Sequence, residues 1–191
     1  HAKGEYIMCI DSDDFIHPQM AEILLSEALL RDADIVMSPH IMHYPDHEKA
    51  VCFRSSNFDL NKIPISVLHF TLCGKLIRRS LFNRYSLFPV AGRNCWEDLA
   101  TTARAMAVTN RIGIVDMPLY YYRQRESSIS GIFSARNIDL LRGYECRTEF
   151  MRKLYPHLLP LMQQQWQQLA IQLAEAARRT GNGELIGLYS Q

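Results

Sequence analysis

The most constraining stretch of this chain is Tyr6-Ile7-Met8-Cys9-Ile10, which runs directly into Asp11-Ser12-Asp13-Asp14. Five residues of aromatic, β-branched and bulky apolar character predict a strand buried on both faces. Three carboxylates follow at once, where burial ends. In open α/β sheets, ligands bind just past the carboxyl ends of strands. Carboxylates this close repel one another unless a cation or hydrogen-bond donors lie among them. A hard divalent ion held by oxygen ligands, Mg²⁺ or Mn²⁺ shared with phosphate oxygens, meets that need.

The same residues also fit a solvated acidic turn that caps the next helix, with Asp14 as the cap and Pro18 near the first turn. On this stretch alone both readings stand. An EF-hand is disfavoured, because the loop lacks glycine at its sixth position and an acid at its twelfth. A haloacid-dehalogenase-type aspartate nucleophile would resemble Asp-x-Asp-x-Thr, and Phe15 stands where the threonine would be.

Composition narrows the classes further. The chain has 191 residues, 48% of them apolar, enough for one domain with a sizeable core. With 21 basic and 20 acidic residues its net charge is +1, so no global field points to nucleic acid. Five scattered cysteines form no C-x-x-C pair, which argues against a zinc site or a disulfide framework and for reduced thiols. No apolar stretch approaches the ~18 residues of a membrane span, and the opening residues do not read as a signal peptide. A cytoplasmic setting is expected. A buried strand at the terminus needs neighbours on both sides, so the chain reads as the later part of a longer domain.

Downstream, Pro18 to Arg31 predicts a helix with Met20, Ile23, Leu24 and Leu30 at helical spacing. Ala33 to Met37 predicts a second strand, giving one βαβ unit with a right-handed crossover. His40 to Leu68 has no clear period, and His40, His43 and His47 read as loop histidines rather than a metal cluster. Gly74 permits a close approach or a positive φ. Lys75, Arg78 and Arg79 follow within about one helical turn, either as a basic surface or, for Lys75 and Arg78, facing a phosphate or acceptor anion.

Trp96-Glu97-Asp98 open a helix running through about Val108, with Leu99, Ala103, Met106 and Ala107 on one side. Carboxylates in a first turn suit the helix dipole. An acidic pair beside a tryptophan also suits a substrate platform with a general base. Arg111 to Arg123 predicts strand interrupted at Pro118, with Arg123 and Arg125 past its end as a phosphate clamp or a plain surface loop. Ser134 opens a helix ending near Pro156, and a second runs from about Pro160 to Gly181-Asn182-Gly183. That amphipathic pair covers a core or meets a partner, and Trp166 with Arg178 and Arg179 leaves a membrane-surface role open.

Taken in order, these blocks resemble the family 2 glycosyltransferases, inverting bacterial enzymes with the A-type nucleotide-sugar fold. The resemblance is carried by Ala2 to Ile7 before Asp11-Ser12-Asp13-Asp14, by Ala33 to Val36, by Gly74 to Phe82, by Glu97-Asp98, and by Pro118 to Arg123 with Ser127-Ser128-Ile129. It covers roughly residues 1 to 130. It implies a partial, Rossmann-like α/β sheet with flanking helices over 1–133 and a helical extension over 134–191.

The resemblance implies roles for matching positions. Asp13 would be the principal ligand of Mg²⁺ or Mn²⁺, with Asp11 helping through the ribose or the metal's water shell and Asp14 orienting the sugar. Asp98 would be the catalytic base, and Trp96 and Glu97 would shape the acceptor site. Lys75 and Arg123, with Arg78 beside them, would line the donor or acceptor pocket and the diphosphate. The substrates would be a nucleotide-diphospho-sugar and a saccharide or lipid-linked acceptor, at the inner face of the membrane, with specificity set chiefly by residues 40 to 70. The family's usual opening strand, helix and strand are missing before His1, so either a homo-oligomer or partner is expected to cover the incomplete sheet, or the chain is expected to be inactive alone. Two other readings stay open on sequence: a non-catalytic piece acting through oligomer or partner contacts, and a metal-dependent phosphoryl-transfer enzyme.

Overall fold

The computed structural model describes residues 2–51, 71–87, 97–125 and 135–189. In chain order the elements are β1 (Tyr6–Met8), β2 (Phe15–Ile16), α1 (Met20–Leu30), β3 (Ile35–Met37), β4 (His40–His43), β5 (Glu48–Val51), β6 (Lys75–Arg78) and α2 (Arg79–Tyr85). They continue as α3 (Glu97–Ala107), β7 (Ile112–Ile114), β8 (Tyr120–Arg123), α4 (Ile138–Leu154), α5 (Leu159–Thr180) and α6 (Gly183–Tyr189).

Two four-stranded sheets result, ordered β1-β6-β3-β7 and β2-β8-β4-β5. The strand, helix, strand sequence at the start is real, but β1 and β3 are not neighbours. β6 lies between them and runs antiparallel to both, with Ile77 opposite Ile7 on one side and Ile35 on the other. Lys75 to Arg78, expected within a helical turn, is therefore a central strand, and α2 starts only at Arg79. A four-residue apolar-and-basic run carries too few turns for its period to separate the two conformations. The expected strand from Arg111 to Arg123 splits at Pro118: β7 pairs parallel with β3, and β8 joins the second sheet beside β4. The segment after His40 contains a β4–β5 hairpin, with His43 opposite Glu48.

α1 lays Met20, Leu24 and Ala28 against the sheet, all fully buried. Leu30, expected on that stripe, is 80% exposed, because the buried face follows i, i+4, i+8 from Met20. α1 begins at Met20 without a side-chain cap, so Asp14 is not its cap. The helices behind the first sheet share its core. Met106 of α3, Met151 of α4 and Met162 of α5 join Ile35, Met37 and Ile77 in one buried cluster. α5 ends at Gly181, whose φ of 65° closes the helix with its N–H on the Arg178 carbonyl. The sequence reading stops there, whereas the structure adds α6, capped by the Asn182 side chain accepting from the Glu184 and Leu185 N–H groups.

The foot of the first sheet is an ion-pair network. Arg78 bridges Glu5, Asp32 and Asp34, and Arg111 bridges Asp32 and Asp34. Thr109 adds a hydroxyl bond to Asp34 at 2.7 Å. Arg78 also lies over the Tyr6 ring at 4.8 Å.

Candidate active site

β1 aligns Tyr6 with Arg78 at one end and Met8 with Leu76 at the other. The chain then continues to Cys9, which bridges Cys73 in the parallel sense. The reversal is made at Gly74, whose φ of 71° lies in the left-handed region. A Cβ there would meet the Ser38 carbonyl oxygen at 3.3 Å, so the turn needs glycine for space as well as for conformation. Gly74 thus sets residues 71 to 73 beside the acidic loop that follows β1.

Those residues hold two carboxylates. The Leu72 N–H donates to Asp98 Oδ2 at 3.1 Å, and the Cys73 thiol donates to Asp11 Oδ2 at 3.1 Å. Asp98 sits in the first turn of α3, where the dipole also favours a negative charge. Burial pushes the Cys73 thiol up to about 12, and the Asp11 and Asp98 charges reinforce it. Cys9 is raised by burial and by the same two carboxylates. Both thiols therefore stay protonated, and both feel Asp11 and Asp98 together.

The acidic loop is a tight turn, closed by the Asp14 N–H on the Asp11 carbonyl at 3.1 Å. Asp14 accepts the Tyr120 hydroxyl at 2.6 Å on one oxygen and the Arg123 N–H at 2.8 Å on the other. Burial pushes the Asp14 carboxyl up. The Tyr120 and Arg123 hydrogen bonds oppose that shift, and the Asp13 and Asp11 charges add to it. The Asp11 N–H donates to Tyr120 Oη at 3.1 Å. Ligand atoms of Asp11, Asp14 and Cys73 lie within 4.8 Å of one another. The two carboxylates suit a hard divalent cation, whereas a protonated thiol already bonded to Asp11 makes a poor ligand for one. Asp13 is exposed on the same turn and lies outside that cluster.

Residues 1–86 match the family described as glycosyl transferase family 2. They belong to it. GlyG, a glycosyltransferase of Streptococcus pneumoniae, is 29% identical over 144 residues, 67% of this chain and 46% of GlyG. EpsH of Bacillus subtilis is 28% identical over 163 residues, 80% of this chain and 47% of EpsH. The chain spans about half the length of these relatives. Staphylococcus aureus TarS, solved in complex with UDP-GlcNAc, superimposes at a TM-score of 0.67 with 18% identity, over 81% of this chain and 44% of TarS. TarS in complex with UDP superimposes at 0.59. The fold is accordingly the A-type one.

The residues expected to act together divide into groups. Asp11, Asp14 and Asp98 are tied to one another through Leu72, Cys73 and β8, and Arg123 joins them through its backbone N–H. The Arg123 guanidinium lies over the Phe15 ring at 5.5 Å. Lys75 is only 2% exposed and donates to the Thr71 carbonyl, so its ammonium is turned inward. Burial lowers Lys75 to about 8, with the nearby Asp98 charge opposing. Arg78 stands at the far end of β6 and is committed to Glu5, Asp32 and Asp34. It belongs to the foot of the sheet. Trp96 and the Glu97 side chain lie outside the described residues, as do Ser127 and Ser128.

Three contributors escape a sequence reading. Tyr120 reads as strand packing, because nothing in a Tyr-Tyr-Tyr run says which hydroxyl meets a carboxylate 106 residues away. Cys73 reads as a scattered thiol. Leu72 contributes only its backbone, and a side-chain pattern carries no trace of that.

Proposed function

We propose that this chain forms the catalytic and acceptor-side portion of an inverting glycosyltransferase that moves a sugar from a nucleotide-diphospho-sugar to a hydroxyl acceptor. Supporting this reading above all is the adjacency of Leu72 and Cys73, which hold Asp98 and Asp11 on consecutive residues. A carboxylate base and a diphosphate-binding acidic loop must share one sugar, and this strap keeps both beside the same turn. The family match at residues 1–86 and the UDP-GlcNAc complex of TarS favour a nucleotide-sugar donor.

In this reading Asp98 takes the proton from the acceptor hydroxyl as that oxygen attacks the anomeric carbon from the face opposite the leaving nucleotide, which inverts the configuration. Asp11 and Asp13 hold Mg²⁺ or Mn²⁺, while Asp14 orients the sugar from its place against β8. When bound, the metal neutralises charge developing on the departing diphosphate. Arg123 lies beside the diphosphate, and Trp96 and Glu97 shape the acceptor site. Lys75 acts from the interior through the Thr71 carbonyl.

Residues 134–191 form a helical extension to the catalytic portion at 1–133. The acceptor is a saccharide or lipid-linked chain of the cell envelope, met at the inner face of the membrane. No helix among the described residues is long and apolar enough to cross a membrane. A second copy or a partner covers the outer edge of β1.

Asp98→Asn tests the assignment. The variant is expected to lose sugar transfer while still taking up Mn²⁺ and UDP in calorimetry. Transfer at the wild-type rate by Asp98→Asn would overturn it.

A further inference from the structure

We infer that Tyr120 is a positioning residue for the acidic loop, which fixes Asp14 against β8 and so sets the shape in which Asp11 and Asp13 meet a cation. The inference rests on the metal-dependent reading of the loop given above. A tyrosine hydroxyl has one proton to give and two lone pairs to receive with. Tyr120 uses it in both directions, donating to Asp14 Oδ2 at 2.6 Å and accepting from the Asp11 N–H at 3.1 Å. It thereby grips the first and last residues of the turn at a single oxygen.

The rest of the loop's bonding depends on the same strand. The Arg123 N–H takes the other Asp14 oxygen at 2.8 Å, and the Asp14 N–H closes onto the Asp11 carbonyl at 3.1 Å. Three of these four bonds end on β8. With both its oxygens engaged there, Asp14 cannot swing toward the mouth of the loop without breaking a bond to β8. Asp13 is exposed and Asp11 is held on one oxygen by Cys73, so these two remain available.

The ring itself is anchored independently of the hydroxyl. Tyr120 is 1% exposed and packs with Met20, Leu24, Val36 and Leu76. It also sits opposite Ile16 on β2 and His40 on β4. Tyr120→Phe therefore removes one oxygen from the loop and leaves the packing in place. Partners that hold metal ligands in position typically change metal affinity by about 10–100-fold when removed.

The test compares wild type, Tyr120→Phe and, as a control on the same strand, Tyr121→Phe. Amide hydrogen exchange is read at Asp11 and Asp14, and Mn²⁺ binding in the presence of UDP is measured by calorimetry. Tyr120→Phe is expected to speed exchange at Asp11 and Asp14 and to weaken Mn²⁺ binding by roughly tenfold or more. Exchange at Val36 should be unchanged, and Tyr121→Phe should resemble wild type. Unchanged exchange at Asp11 and Asp14 overturns the inference, as does equal Mn²⁺ affinity in wild type and Tyr120→Phe. In both cases the metal-dependent reading survives. A wild-type chain that takes up no Mn²⁺ with UDP defeats that reading, and the inference falls with it.

Discussion

The Leu72 N–H lies 3.1 Å from Asp98 Oδ2. A backbone donor to the carboxylate proposed as the base fixes where that carboxylate points without consuming another side chain. Because the Cys73 thiol holds Asp11 in the same turn, the two ends of the proposed reaction hang from consecutive residues.

Asp98→Asn should leave the fold and the Leu72 bond in place, since the amide oxygen still accepts. For the base proposed here, removal costs about 10²–10⁴-fold in the chemical step. Steady-state transfer assays should show kcat falling by that range with the nucleotide dissociation constant nearly unchanged.

Gly74→Ala should destabilise the chain by about 1–2 kcal/mol, the cost of a left-handed residue bearing a Cβ. Crowding against the Ser38 carbonyl oxygen adds to it. Denaturant unfolding measures the loss. Because the same turn carries Leu72 and Cys73, transfer activity should fall by more than the lost stability explains.

Lys75→Met separates folding from function. Below about pH 8 the buried ammonium is charged in the folded chain and disfavoured there. Between about 8 and the ordinary lysine value of 10.5 the unfolded chain holds the extra proton, so this group makes stability rise with pH across that window. The rise is on the order of 3 kcal/mol. Unfolding of the two proteins from pH 7 to 10.5 should show that component in wild type and not in Lys75→Met. The variant should be no less stable at pH 7, yet slower in transfer.

Asp34 governs the acid limb. Burial pushes its carboxyl up, but hydrogen bonds from Arg111 and Thr109 and the charges of Arg111 and Arg78 outweigh that and hold it below the usual carboxylate value of 3.8. A depressed folded value gives stability that is present above the unfolded value and lost as pH falls through the folded one. Thermal melts between pH 5 and pH 2 should fall, and Asp34→Asn should flatten that limb while lowering the plateau.

Met162→Ala tests whether the helical extension folds with the sheet. Met162 is fully buried in the cluster that contains Ile35 and Ile77. Its truncation should cost about 2–5 kcal/mol. A single cooperative transition, shifted as a whole, is the expected calorimetric trace, whereas two transitions would mean that α5 unfolds separately.

The parts of this fold legible in the sequence are those with a long period or a sharp punctuation. The α1 and β3 segments and the helices around Ala103, Met151 and Met162 announce themselves in this way. The run before Asp11 does so only over Tyr6–Met8, a strand half-buried at the sheet edge rather than buried on both faces, with Ile10 exposed. The antiparallel β6 does not, because Lys75-Leu76-Ile77-Arg78 is too short to choose between conformations and nothing local says that it inserts between β1 and β3. The second sheet is hidden for the same reason, being built from strands of two to four residues. Asp11, Asp14 and Asp98 could be picked out by charge and place, whereas Arg78 could not be sorted. Its charge fits a phosphate as well as it fits Asp34, and only the register of β6 sends it to the foot.

That foot leaves the two ends of one sheet with opposite responses to electrolyte. Arg78 and Arg111 are matched there by Glu5, Asp32 and Asp34, an attraction that dissolved ions weaken. At the opposite end Asp11, Asp13 and Asp14 crowd together, a repulsion that the same ions relieve. Raising the ionic strength thus slackens the base of the molecule while it calms the rim.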